Sequence, residues 1–151
     1  GDILEVSGLS QGSFSYNAPA SEVTSALNPA SDDDVVVNTP TDYGNSYPVG
    51  QCTWGVKELA PWASNWWGNA NTWAIYASAQ GYRVGNVPVV GAIAVWDGGE
   101  YGHVAYVTDV QSENSIQVLE ANYKRQKQIA NYRGYFNPNE FLGRVTYIYP
   151  N

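Results

Sequence analysis

The sequence contains no methionine, one cysteine and one histidine. A single cysteine excludes a disulfide within the chain. One cysteine and one histidine cannot complete a zinc site of three or four protein ligands without unusual help from carboxylates. No run approaches the roughly 20 apolar residues that cross a bilayer, so no membrane span is expected. No signal peptide is visible either. Because the chain starts at Gly1 without an initiator methionine, it is expected to be a segment of a longer precursor, with N-terminal domains, candidate regulators, outside it.

Positive charge is scarce and unevenly placed. Residues 1–46 carry Asp2, Glu5, Glu22, Asp32, Asp33, Asp34 and Asp42 with no Lys or Arg, whereas the seven Lys and Arg of residues 47–151 are matched by seven acids. The net charge of −7 therefore belongs to the N-terminal part. No basic patch large enough for nucleic acid is present, which sets that partner class aside. The run Asp32-Asp33-Asp34 reads as solvated linker charge, because no calcium loop with its glycine and distal glutamate follows. Gly8-Leu9-Ser10-Gln11-Gly12 matches the serine-hydrolase elbow by letter. That elbow needs a strand before it and a helix after it, and neither is readable here. Residues 1–46, rich in Ser, Ala, Asn, Pro and Asp, read as a linker or N-terminal extension to one domain at 47–151.

Aromatic residues are plentiful, with six Trp and twelve Tyr in a chain that is 44% hydrophobic. That is enough for one modest core. Cys52, Val56 and Leu59 stand at helical spacing and Pro61 follows, which predicts a helix over 52–60. A second helix is predicted over 71–79, with Asn71 as its cap and Gly81 beyond its end. The pattern then turns to β. Strands are predicted at 91–96, 103–110, 115–123 and 144–149, and less distinctly at 129–135, with turns at 97–100 and 111–114. Helices followed by antiparallel strands make an α+β layout.

A lone cysteine is ordinarily a small buried hydrophobe. Cys52, however, follows Gly50-Gln51 at the start of a predicted helix, where free N–H groups and the helix dipole favour a thiolate and could hold an oxyanion. A thiol nucleophile needs a base that takes its proton and returns it to a leaving amine. His103 is the only imidazole available. Its second nitrogen then needs an acceptor to fix the tautomer. Glu120, in Val118-Leu119-Glu120-Ala121-Asn122, returns to the level of His103 and alternates onto the face of Ile116 and Val118, where a carboxylate calls for a partner. A solvated edge carboxylate is the competing reading. Asn122 points the same way and is a candidate to orient the imidazole or the substrate.

Register sharpens this. Paired residues of a hairpin share a face, so His103 and Glu120 meet only if paired numbers sum to an odd value. A sum of 225 gives a four-residue loop at 111–114 and sets Asn122 opposite His103, Glu120 opposite Ala105, Val118 opposite Val107 and Ile116 opposite Asp109. A sum of 223 also keeps the three together. Trp73 and Trp96 lie among small apolar residues and read as core. Trp66, Trp67, Tyr101, Tyr123 and Tyr132 are candidate walls of a substrate groove.

Gly50-Gln51-Cys52-Thr53-Trp54-Gly55 resembles the nucleophile motif of the CHAP family, the cysteine, histidine-dependent amidohydrolase/peptidase domains. Gly68-Asn69-Ala70 with Trp73, Val90 to Trp96, Gly102-His103-Val104-Ala105 and Glu120-Ala121-Asn122-Tyr123 follow in that family's order. The resemblance spans about residues 47–151 and is most similar to the C-terminal domain of streptococcal secreted cell-division hydrolases of the PcsB type. It implies a papain-like (NlpC/P60-type) α+β fold, with helices packed on an antiparallel sheet. It also implies a Cys–His–Glu arrangement on Cys52, His103 and Glu120; Gln51, beside the cysteine, is a further candidate substrate contact. It implies hydrolysis of peptidoglycan amide bonds, secretion from a Gram-positive bacterium, and neither metal nor cofactor. N-acetylmuramoyl-L-alanine amidase and endopeptidase both stay open, as does acyl transfer. A wall-binding module without turnover is the alternative from another class, and its mark would be loss of the Cys or the His.

Overall fold

A computed structural model describes residues 44–151. The Gly8–Gly12 motif, the Asp32–Asp34 run and nearly all of the 1–46 extension lie outside the described residues.

Two short helices precede five strands. Helix α1 runs Cys52–Leu59 and α2 runs Trp73–Ala79, the latter entered through a 3-10 turn at Ala70–Thr72. The predicted cap at Asn71 therefore falls inside that turn, and Thr72 takes the cap position without capping the helix through its side chain. The strands are β1 (Val84–Gly85), β2 (Ile93–Trp96), β3 (His103–Ser112), β4 (Ser115–Leu119) and β5 (Val145–Ile148). They form one antiparallel sheet in the order β1-β5-β2-β3-β4. This is the papain-like α+β architecture expected of the sequence. The two-residue β1 was not predicted. In place of the strand expected at 129–135, only isolated bridges form, Glu120 with Ala130 and, just beyond, Ile116 with Phe136.

The sheet separates two apolar clusters, as alternation of side chains requires. On one face Val104 and Tyr106 join Val56, Trp67, Trp73 and Ala77 from the helical side. On the other face Ala105 and Val107 join Ala94, Trp96, Ile116, Val118 and Tyr147. A smaller cluster of Trp54, Leu119, Ala121 and Ile129 ties α1 to the end of β4.

The β3–β4 register near the start of β3 has Tyr106 opposite Leu119 and Val107 opposite Val118, both summing to the expected 225. Toward the turn it shifts twice, and Asp109 faces Gln117 while Val110 faces Ile116. The expected Asp109–Ile116 pair is therefore absent. Each irregularity inserts one residue on the β3 side. The connection between Ser112 and Ser115 shrinks to Glu113-Asn114 in place of the four-residue loop.

Candidate active site

The approach to α1 is set by Gly50, whose φ of +91° suits a residue without a side chain. Gln51 is extended and serves as N-cap, which makes Cys52 the first helical residue. No side chain caps this end and no acid lies in the first turn. The first N–H groups and the positive end of the dipole are left unopposed around the sulfur. Further along α1, Gly55 lies so close to Ala121 that a Cβ on it would sit 2.9 Å from the alanine Cβ. That contact brings the helix down beside the end of β4.

His103 opens β3 through Gly102, at φ +76°, where a Cβ would fall 2.6 Å from the Trp96 carbonyl oxygen. The imidazole is buried against Trp96, its cross-strand partner, at 5.9 Å between centroids, and edge-on to Phe141 at 5.7 Å. Glu120 lies just beyond β4 and is 0% exposed. Its Oε1 is 2.9 Å from His103 Nε2. With Nε2 engaged there, Nδ1 is the ring nitrogen left for Cys52, whose proximity helps raise the imidazole.

A fourth residue completes the buried half. Arg133 Nε donates to Glu120 Oε2 at 2.9 Å and Nη2 donates to Oε1 at 2.6 Å. The guanidinium is packed by aromatic rings, with centroids of Phe136 at 3.9 Å, Phe141 at 4.1 Å, Tyr123 at 4.4 Å and Trp96 at 5.5 Å. Such a cage excludes water while its ring faces favour the cation. Arg133 was not singled out from the sequence. Its only signal is a basic residue among Tyr132, Tyr135 and Phe136.

The electrostatics follow from these contacts. Burial raises the Glu120 carboxyl, but hydrogen bonds and positive charge from His103 and Arg133 outweigh it and hold the group below the usual carboxylate range. Burial lowers His103, but hydrogen bonding and negative charge from Cys52 and Glu120 push it up to about 9. The imidazole can therefore hold a proton at neutral pH while a carboxylate and a sulfur flank it.

The remaining candidates are placed differently. Asn122, at φ +57°, turns the chain out of the strand and so leaves the expected alternation. Its Nδ2 donates to Gln51 Oε1 at 3.2 Å and its Oδ1 accepts from Lys127 Nζ at 2.9 Å, while the imidazole's orienting bond goes to Glu120. Gln51 is thus on the rim beside Cys52. Tyr123 lies over Arg133 and stacks with Tyr132 at 6.1 Å. Tyr101 and Trp66 are exposed, Trp66 at 87%. Trp67 corrects the sequence reading. It is core, packed on Trp73 and Tyr82, and its indole N–H donates to Gln80 Oε1 at 2.7 Å. A hydrogen-bond partner for its one polar atom lets the whole ring leave solvent, so it is no groove wall. Among the described residues, no group of three or more His, Cys, Asp or Glu could hold a metal ion.

Helices packed on an antiparallel sheet, with His103 at the start of β3 bonded to Glu120 just past β4, define a papain-like α+β domain. A family model described as "CHAP domain" matches residues 42–122, and the chain belongs to that family. A putative hydrolase of Streptococcus mutans is 62% identical over 109 residues, which is 71% of this chain and 52% of that protein. The staphylococcal secretory antigen SsaA of Staphylococcus epidermidis is 42% identical over 112 residues, 74% of this chain and 44% of that protein. The crystal structure of an N-acetylmuramoyl-L-alanine amidase from Staphylococcus aureus superimposes with a TM-score of 0.64 at 30% identity, covering 80% of this chain and 36% of that one. The chain thus spans about half the length of the curated relatives it matches.

Proposed function

We propose that this domain hydrolyses an amide bond of the peptidoglycan stem peptide by a thiol mechanism, as part of a secreted wall hydrolase. The observation that carries this reading is the buried His103, hydrogen-bonded to Glu120 and raised to about 9 with Cys52 among the causes. The amidase with the same fold, and the secretory antigen among the relatives, support the substrate and the location.

In this reading Cys52 Sγ attacks the carbonyl carbon as a thiolate, forming the C–S bond. The first-turn N–H groups of α1 hold the oxyanion. The C–N bond then breaks, and His103 gives its proton to the departing amine nitrogen. Water next attacks the thioester carbonyl, with His103 taking its proton. The thiolate leaves, the acid product is released, and the imidazolium–thiolate pair is restored. Glu120 fixes the ring orientation and offsets its charge, and Arg133 keeps Glu120 ionised and aimed. Residues 1–46 act as a linker dispensable for chemistry.

Mass spectrometry of fragments released from purified walls tests this. Peptides carrying a new alanine amine, with the lactyl group left on the glycan, identify an amidase, and a cut inside the peptide identifies an endopeptidase. Folded protein that binds walls and releases no fragment would establish the non-catalytic binding module instead.

A further inference from the structure

Asn122, Lys124 and Arg125 have φ of +57°, +50° and +68°, and among the described residues no other non-glycine is left-handed. The Gln126 N–H donates to the Tyr123 carbonyl at 3.0 Å, and these two residues form an antiparallel bridge. Lys124 and Arg125 are therefore the central pair of a tight hairpin turn with positive φ at both positions. A primed turn of this kind is formed with least strain by Asn-Gly or Asp-Gly. Two long cationic side chains stand where folding alone favours short ones. Backbone outliers of this sort cluster at working sites.

The same stretch is one-sided in charge. Residues 121–139 contain Lys124, Arg125, Lys127 and Arg133 and no acid. Arg133 is engaged by Glu120, whereas Lys124, Arg125 and Lys127 are exposed. Their position is fixed relative to the sulfur. The Lys127 stem lies against Gly50, where a glycine Cβ would be 3.2 Å from Lys127 Cβ. Its ammonium donates to Asn122, and Asn122 donates to Gln51, the residue before Cys52.

Resting on the hydrolase reading above, we propose that Lys124, Arg125 and Lys127 form a cationic lip that selects stem peptides with a free carboxylate near the scissile amide over the same peptides with that group amidated. A carboxamide gains little from an ammonium or guanidinium group in water. A carboxylate gains a modest amount from each exposed cation, and three together favour it roughly 3- to 10-fold at low salt. That preference shrinks as added salt screens the lip.

The test uses the full chain and two soluble muropeptides, identical except that the acidic stem residue carries its α-carboxylate free or as the carboxamide. Neither holds a phosphodiester, so wall polymers do not enter. The ratio of kcat/KM is measured at low and high salt, and Kd is measured in parallel with the Cys52→Ala variant. The carboxylate form is expected to be preferred, and Lys124→Gln/Arg125→Gln/Lys127→Gln should bring the ratio near one. Lys124→Asn/Arg125→Gly should raise Tm by easing the turn while lowering the preference, which a merely structural role would not do. Equal ratios in wild type and triple variant overturn the lip. A carboxylate preference in Kd that the triple variant loses, without turnover of either peptide, sustains the lip and sinks the hydrolase reading.

Discussion

The two halves of the site are built on opposite principles. In the buried half, His103, Glu120 and Arg133 are paired atom to atom behind aromatic rings. At the rim, Gln51, Asn122 and Lys127 are joined by single side-chain bonds in contact with solvent. A charge in the first half is costly to strand, because desolvation is already complete. A charge in the second is cushioned by water. The buried half should therefore govern rate and stability together, and the rim should govern substrate choice.

The largest effect should come from the reacting pair. Cys52→Ala and His103→Ala should each lower wall lysis about 10,000-fold or more, because neither role can be taken by a neighbour. Zymography on purified walls checks this, and clear lysis by folded Cys52→Ala removes the thiol mechanism.

Next comes Arg133→Ala, which strands the buried Glu120 carboxylate and should cost about 3–5 kcal/mol of stability. Chemical unfolding measures it. The double variant Glu120→Gln/Arg133→Met should regain much of that stability without regaining activity. If Arg133→Ala is neutral in both respects, the division into buried and rim halves fails.

Glu120→Gln alone should slow lysis roughly 100-fold, less than loss of Cys52, since an amide still reaches the ring. Activity equal to wild type would remove Glu120 from the site.

The pH dependence of stability sharpens the contrast. Glu120 is held below 4.5, so its contribution is present above that value and lost as pH falls toward the folded value. His103 is raised from 6.5 to about 9, so its contribution is full below 6.5 and lost as pH rises through about 9. Urea midpoints should plateau between 4.5 and 6.5 and decline on both sides. Glu120→Gln should flatten the acid limb. An unchanged acid limb would show that another carboxylate sets it.

The smallest effect belongs to Asn122→Ala, expected to change kcat only about 2- to 5-fold, with the loss falling mainly on KM. A loss comparable to that of Glu120→Gln in single-turnover assays would place Asn122 in the chemistry after all.

Cys52, His103 and Glu120 were legible because each leaves a local mark, in a glycine turn before a helix, a strand entrance and a carboxylate on an apolar face. The register sum of 225 held where apolar residues alternate, at Tyr106–Leu119 and Val107–Val118. It failed from Thr108 onward, where a bulge sets the buried Ile116 opposite Val110 instead of Asp109. Trp66 and Trp67 look alike in sequence, and only tertiary partners, Trp73, Tyr82 and Gln80, separate them. Arg133 was illegible for a related reason. A basic residue in a loop reads as solvent-facing unless the buried acid waiting for it is known.

The contact between Gly55 and Ala121 carries a last consequence. Cys52 packs with the helical core, whereas His103 meets Trp96 of the opposite core, so sulfur and imidazole belong to separately packed bodies. The gap between them is gauged by a side chain that does not exist. One methyl at position 55 would act as a shim under the helix and lift Cys52 away from His103. Misplacements near 1 Å can cost about 100-fold in rate. In the proposed mechanism that spacing is thus calibrated by an omission, three residues away from the sulfur.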